Sequence, residues 1–122
     1  MVSAPGINVN KVIGGGQTAL YVACYRGHTE AVRQLVMAPG IDCNRAESGI
    51  GETPLHAACG QGHAVVVRVL VNTSGVNINQ AERSYGATPL DLACATNHHT
   101  CADIVRAAGG TGRGRGAGPL RR

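Results

Sequence analysis

Three threonines and three histidines at a constant interval constrain this chain more than any other feature. Thr18, Thr53 and Thr88 lie 35 residues apart, and His28, His63 and His98 keep the same interval. Between them stand TALYVACYRGH, TPLHAACGQGH and TPLDLACATNH, each followed by an apolar-rich stretch: TEAVRQLV, AVVVRVLV and HTCADIVR. The connectors recur too, as APGINVN at 4–10, APGIDCN at 38–44 and TSGVNIN at 73–79. A period of this length belongs to a stacked array of small units.

The physics of one unit can be read from its middle copy. Thr53 precedes Pro54, a hydroxyl cap followed by a residue whose missing N–H is not needed at a helix start. Leu55, Ala58 and Cys59 then share one helical face, and Gly62 stops the helix and turns the chain. The next helix carries Val66, Val67, Leu70 and Val71. Gly75 ends it, and VNINQAERSYGA reads as an extended polar excursion. Two short antiparallel helices and a projecting loop have too little apolar surface to stand alone, so neighbouring units must cover each other. Composition agrees. The chain has no Phe, no Trp and three Tyr, and its apolar residues are small aliphatics that suit thin, closely packed layers.

The strings TPLHAACGQGH and TPLDLAC, at this period, resemble the ankyrin repeat, whose signature includes T-P-L-H-x-A at about 33 residues. The resemblance spans about residues 2–109. It implies an all-α helix-turn-helix solenoid with projecting β-hairpin-like loops. Each unit exceeds the family length by two residues, one in the connector after the second helix and one in the projecting loop, where insertions are cheap. The expected organisation is a partial repeat or connector at 1–16, three units at 17–51, 52–86 and 87–109, and a disordered Gly/Arg-rich tail at 110–122.

Aligned connectors set Met1 opposite Leu35 and Leu70. The chain is then either a self-contained stack or a piece of a longer array. Glu30 and Gln34 replace Val65 and Val69, while Thr100 and Arg106 replace Val65 and Val71, as capping of outer units requires. Against this, Ala102, Ile104 and Val105 keep the last helix partly apolar.

The formal net charge of +4 belongs to the end of the chain. Four of the eleven basic residues lie beyond Gly110, leaving seven against seven acidic ones before it. An alternative function is weak nucleic-acid binding through the Arg-Gly tail, which would rest on GRGRG, a string that lacks the flanking prolines of an AT-hook and any stacking aromatic. No apolar run has signal-peptide or membrane-spanning length. Five cysteines, an odd number, suit a reduced intracellular setting, cytoplasmic or nuclear.

Candidate chemistry is absorbed by the repeat. Cys24, Cys59 and Cys94 are expected in a line on the buried face of the first helices, about 10 Å apart. Zinc needs four ligands at about 2.0–2.3 Å from one point. Cys43 and Cys101, outside that line, are the candidate reactive thiols. His28, His63, His98 and His56 recur in ankyrins as structural hydrogen-bonders, and His99 adjoins His98 with a diverging side chain. No G-x-S-x-G motif occurs, and the GGG at 14–16 lacks the Lys-Ser/Thr of a phosphate loop. No catalytic residue, metal, cofactor or small-molecule substrate is therefore expected. What the resemblance implies is a non-catalytic module or scaffold binding another protein through its concave face and loop tips. The matching positions are Gln17, Tyr25, Arg26, Ile50, Glu52, Gln61, Tyr85 and Thr96. Tyr21, standing where TPLH has His, is expected to pack rather than bind. The other reading is a fragment of a larger ankyrin array whose activity lies elsewhere.

Overall fold

The computed structural model describes residues 8–112. In chain order these form a two-stranded hairpin, β1 (Val12–Ile13) and β2 (Gln17–Thr18), joined by a 3-10 turn at Gly14–Gly16, and then six helices. The helices are α1 (Ala19–Arg26), α2 (Thr29–Val36), α3 (Pro54–Gln61), α4 (Ala64–Val71), α5 (Pro89–Ala95) and α6 (His99–Ala107). They form three helix-turn-helix pairs. The first helices make one layer, α1 against α3 and α3 against α5, and the second helices another, α2 against α4 and α4 against α6. This is an all-α solenoid.

Helices of two turns are marginal in isolation, so their ends are well capped. Thr18 Oγ1 accepts the Tyr21 N–H at 3.1 Å. Thr53 and Thr88 go further and form capping boxes with His56 and Asp91, each with proline in the first turn. At the far end, Gly27 and Gly62 adopt φ of 74° and 77°, the left-handed conformation that ends a helix without a Cβ penalty. In the third unit Asn97, with φ 61°, stands at the corresponding place.

The core repeats with the sequence. Leu20, Leu55 and Leu90 line one row, Val32, Val67 and Ala102 a second, and Leu35, Leu70 and Val105 a third; all are buried. Val71, placed with them by the periodicity, is half-buried and packs on the cluster.

Polar ladders tie the units together. Asn10 donates to Gly40 O at 2.8 Å and accepts the Asp42 N–H at 2.7 Å. Asn44 does the same with Gly75 O and the Asn77 N–H, and Asn79 with Gly109 O and the Thr111 N–H. One amide per connector thus satisfies a carbonyl and an N–H of the next connector, which neither helix could satisfy. A second ladder links buried polar groups. His56 Nδ1 accepts the Thr53 N–H, so the ring proton sits on Nε2, which donates to Ala87 O at 2.8 Å.

The last residues differ from expectation. Gly110 N–H bonds Val105 O at 2.8 Å, and the Thr88 hydroxyl donates to Thr111 O at 2.7 Å. The chain therefore stays tied to the third unit through Thr111, because it completes the Asn79 ladder. The expectation of disorder for residues 113–122 lies outside the described residues.

Candidate functional site

Each projecting loop is closed at its base and stacked on its neighbour. Val12 pairs with Thr18 and Ile13 with Gln17 in the first loop. In the second and third, Glu47 N–H bonds Glu52 O at 2.9 Å and Glu82 N–H bonds Ala87 O at 2.8 Å. Two buried carboxylates brace the turns from inside: Glu47 accepts the Gly49 N–H, and Glu82 accepts the N–H groups of Tyr85 and Gly86. Between loops, Ser48 N–H donates to Gly15 O and Arg83 N–H to Ile50 O, both at 2.8 Å. The Arg83 guanidinium also donates to the carbonyls of Ser48 and Gly49. The tips are therefore held in a row by backbone bonds.

The exposed side of α1 and the first loop enclose a hollow of about 390 Å³, lined by Ile13, Gln17, Tyr21, Val22, Tyr25 and Arg26. Tyr25 is 48 % exposed, and its ring stacks on Tyr21 with centroids 6.3 Å apart. Tyr21 itself is buried, its hydroxyl 3.5 Å from Glu52 Oε1. Burial, then the Glu52 and Glu47 charges, push the Tyr21 phenol far above its ordinary range, so it remains neutral. Arg26 is exposed at the end of α1 and makes no ion pair among the described residues.

Of the eight residues expected on the binding face, Gln17, Tyr25 and Arg26 come together in this hollow. Gln61 is exposed at the end of α3, Ile50 is half-buried, and Tyr85 is 43 % exposed on the third loop. Two depart from expectation. Glu52 is only 4 % exposed and turns inward, where the Tyr21 hydroxyl of the preceding unit lies 3.5 Å from its Oε1. Thr96 is half-buried, and its hydroxyl donates to Leu92 O at 2.6 Å and lies 2.8 Å from His98 Nδ1, closing the end of α5. Ile13, Val22 and Arg83 were missed. Ile13, 62 % exposed beside three glycines, was legible as an aliphatic residue at a loop tip. Arg83 was not, because its role depends on carbonyls of another unit.

The cysteines also need correction. Cys24 and Cys59 are buried as expected, but Cys94 is exposed, since α5 is the outermost first helix among the described residues. Cys43 and Cys101 are buried, and desolvation raises both thiols. They are not the accessible pair. A thiol probe at neutral pH is expected to label Cys94 first, with Cys24 and Cys59 labelled only on unfolding.

Burial raises the Cys24 and Cys59 thiols strongly. Unfolded thiols ionise near pH 8.5 while the folded ones keep their protons, so the folded state binds more protons there. Stability should accordingly be full below about pH 8 and fall as pH rises beyond it. Urea midpoints at pH 7 and pH 10 measure this, and equal midpoints would contradict it.

Among the described residues no three His, Cys, Asp or Glu side chains gather to hold a metal ion. No helix among them is long and apolar enough to cross a membrane. Two of the histidines at the helix-helix turns bond across units, His63 Nε2 lying 3.0 Å from Tyr25 O and His98 Nδ1 3.1 Å from Cys59 O.

Comparison with known proteins matches two family models. One, described as ankyrin repeats (3 copies), covers residues 39–110, and another, described as ankyrin repeats (many copies), covers residues 2–36. No curated protein matches the sequence at a significant level. Repeats of this kind are generally protein–protein interaction modules and typically non-catalytic. With more than half its length matched, and three stacked helix pairs carrying the repeat, the chain belongs to the ankyrin-repeat family.

Proposed function

We propose that this chain is a non-catalytic scaffold that binds a partner protein across the loop tips and the exposed side of the first helices. The observation that carries this reading is a set of exposed side chains, Tyr25 and Arg26 at the end of α1 and Tyr85 on the third loop, in a stack whose loop tips are tied from unit to unit by backbone bonds. Tyr and Arg are enriched among residues that dominate interface energies. A rigid display loses little ordering entropy when it binds. Gln17 lines the hollow beside Tyr25, which gives a side chain of the partner somewhere to enter. The family's general role supports the reading.

The test compares the immobilised full chain with a Tyr25→Ala/Tyr85→Ala variant of unchanged far-UV circular dichroism. A protein retained by the parent is expected to bind the variant roughly thirtyfold more weakly, the loss of about 2 kcal/mol that defines a hot spot. Equal affinity would place the partner on another surface.

A further inference from the structure

The hollow beside α1 is not a product of the repeat. Tyr21, Val22, Tyr25 and Arg26 are neighbours at three- and four-residue spacing on one side of that helix, and Ile13 joins them from the first loop. At the places of Ile13, Tyr25 and Arg26 the second unit has Ser48, Gly60 and Gln61, and the third has Arg83, Ala95 and Thr96. An exposed aliphatic tip, a tyrosine ring and a guanidinium therefore come together in the first unit alone.

Charge is sorted in the same region. Of the seven acidic residues, Glu30, Asp42 and Asp103 each pair with the arginine three positions on, at 4.0, 3.3 and 3.4 Å. Glu47, Glu52 and Glu82 are buried. Asp91 is half-buried and accepts the Thr88 N–H and hydroxyl at the start of α5. The loops and first helices thus hold their carboxylates inward. On the same elements Lys11, Arg26 and Arg83 are exposed, and they pair with no carboxylate among the described residues. Arg83 is engaged by carbonyls of the second loop, so Arg26 is the cation open to a guest at the hollow. The hollow also has a direction. The negative charge of Glu52 and Glu47 acts on Tyr21, in the first turn of α1. Arg26 ends the helix, about 7.5 Å further along its axis. The carbonyls at that end are already occupied: Ala23 O and Cys24 O accept the His28 and Gly27 N–H groups, and Tyr25 O lies 3.0 Å from His63 Nε2. An anion is repelled at the Tyr21 end and attracted at the Arg26 end.

We propose that the hollow takes an acidic peptide segment of the partner, with one carboxylate against the Arg26 guanidinium and an adjacent aliphatic side chain between Ile13, Val22 and Tyr25. This rests on the protein-binding reading above and names the chemistry of the partner. A guanidinium donates two parallel N–H groups to a carboxylate, and an apolar wall beside the pair keeps water away and strengthens it. The Gln17 amide lines the same hollow and offers a donor and an acceptor to the peptide backbone. A nucleic-acid backbone fits less well, because it needs several cations along one track and the hollow has one, set among aliphatic side chains.

The test selects a random peptide library displayed on phage against the full chain at physiological ionic strength, and measures Kd for the enriched peptides by fluorescence anisotropy. Expected is enrichment of Asp or Glu close to Leu, Ile, Val or Met. Arg26→Gln and Ile13→Ser should each weaken those peptides roughly tenfold. Arg26→Glu, selected in the same way, should enrich Lys and Arg in place of the acids. Both positions are exposed, so far-UV circular dichroism of each variant is expected to match the parent. Acidic peptides that bind Arg26→Gln as tightly as the parent, or a library from which nothing is enriched, would overturn the proposal. Enriched peptides without acidic residues that still need Tyr25 would overturn it too, while leaving the protein-binding reading in place. Peptides indifferent to the Tyr25→Ala/Tyr85→Ala pair as well would remove both. Oligo(dT) that displaces the peptides, and itself binds through Arg26 more tightly than they do, would assign the hollow to nucleic acid instead.

Discussion

Leu55→Ala is expected to destabilise the folded chain by about 2–5 kcal/mol, the range for deleting a buried leucine side chain. Leu55 is 2 % exposed and sits in the middle unit, where α3 packs against both α1 and α5. No Phe or Trp stands nearby to move into the space, because the chain has none. The stack is held by contacts between nearest neighbours, so a cavity in its centre weakens two interfaces at once. Urea unfolding followed by circular dichroism measures the change. A loss below about 1 kcal/mol would show that the three rows do not fold as one cooperative body.

Gly62→Ala is expected to cost about 1–3 kcal/mol through two separable effects. At φ 77° an alanine bears the strain of the left-handed region. Its Cβ would also stand 2.6 Å from the His98 ring, which must then leave its seat over the turn and its bond to Cys59 O. Gly75 supplies the control. Its φ is 89°, but no atom lies within 4 Å of an added Cβ, so Gly75→Ala carries only the backbone penalty. Gly62→Ala should be the more harmful of the two, and His98→Ala should relieve part of the difference. Equal losses for the two glycine variants would mean that the His98 contact contributes nothing to holding units two and three together.

The candidate site was only partly legible before the fold was known. Tyr25, Arg26 and Gln17 follow from their register on one unit, and the structure gathers them in a single hollow. Glu52 has a sequence position much like theirs and a different fate, since its side chain turns inward toward Tyr21. Nothing local separates an exposed glutamate from a buried one at a loop base. The difference arises because the preceding unit offers a tyrosine where the other units carry His56 or Asp91. Arg83 and the Asn10, Asn44 and Asn79 amides teach the same lesson. The repetition of the asparagines was visible, but the partners of all four side chains lie in an adjacent unit, about 30 residues away or more.

The sequence by itself determined the repeat, the helix starts at Thr53-Pro54 and Thr88-Pro89, the turns at Gly27 and Gly62, and the small-aliphatic core. All of these are set by local physics: caps, left-handed glycines and helical spacing act within one unit and recur at a fixed interval. Tertiary structure decided which cysteine is exposed, which carboxylates are buried, and how the loop tips are tied into a row. Those outcomes depend on what the adjacent unit presents across the interface: α3, which carries the buried Cys59, is covered by α5, whereas no further first helix packs on α5 and its Cys94 among the described residues.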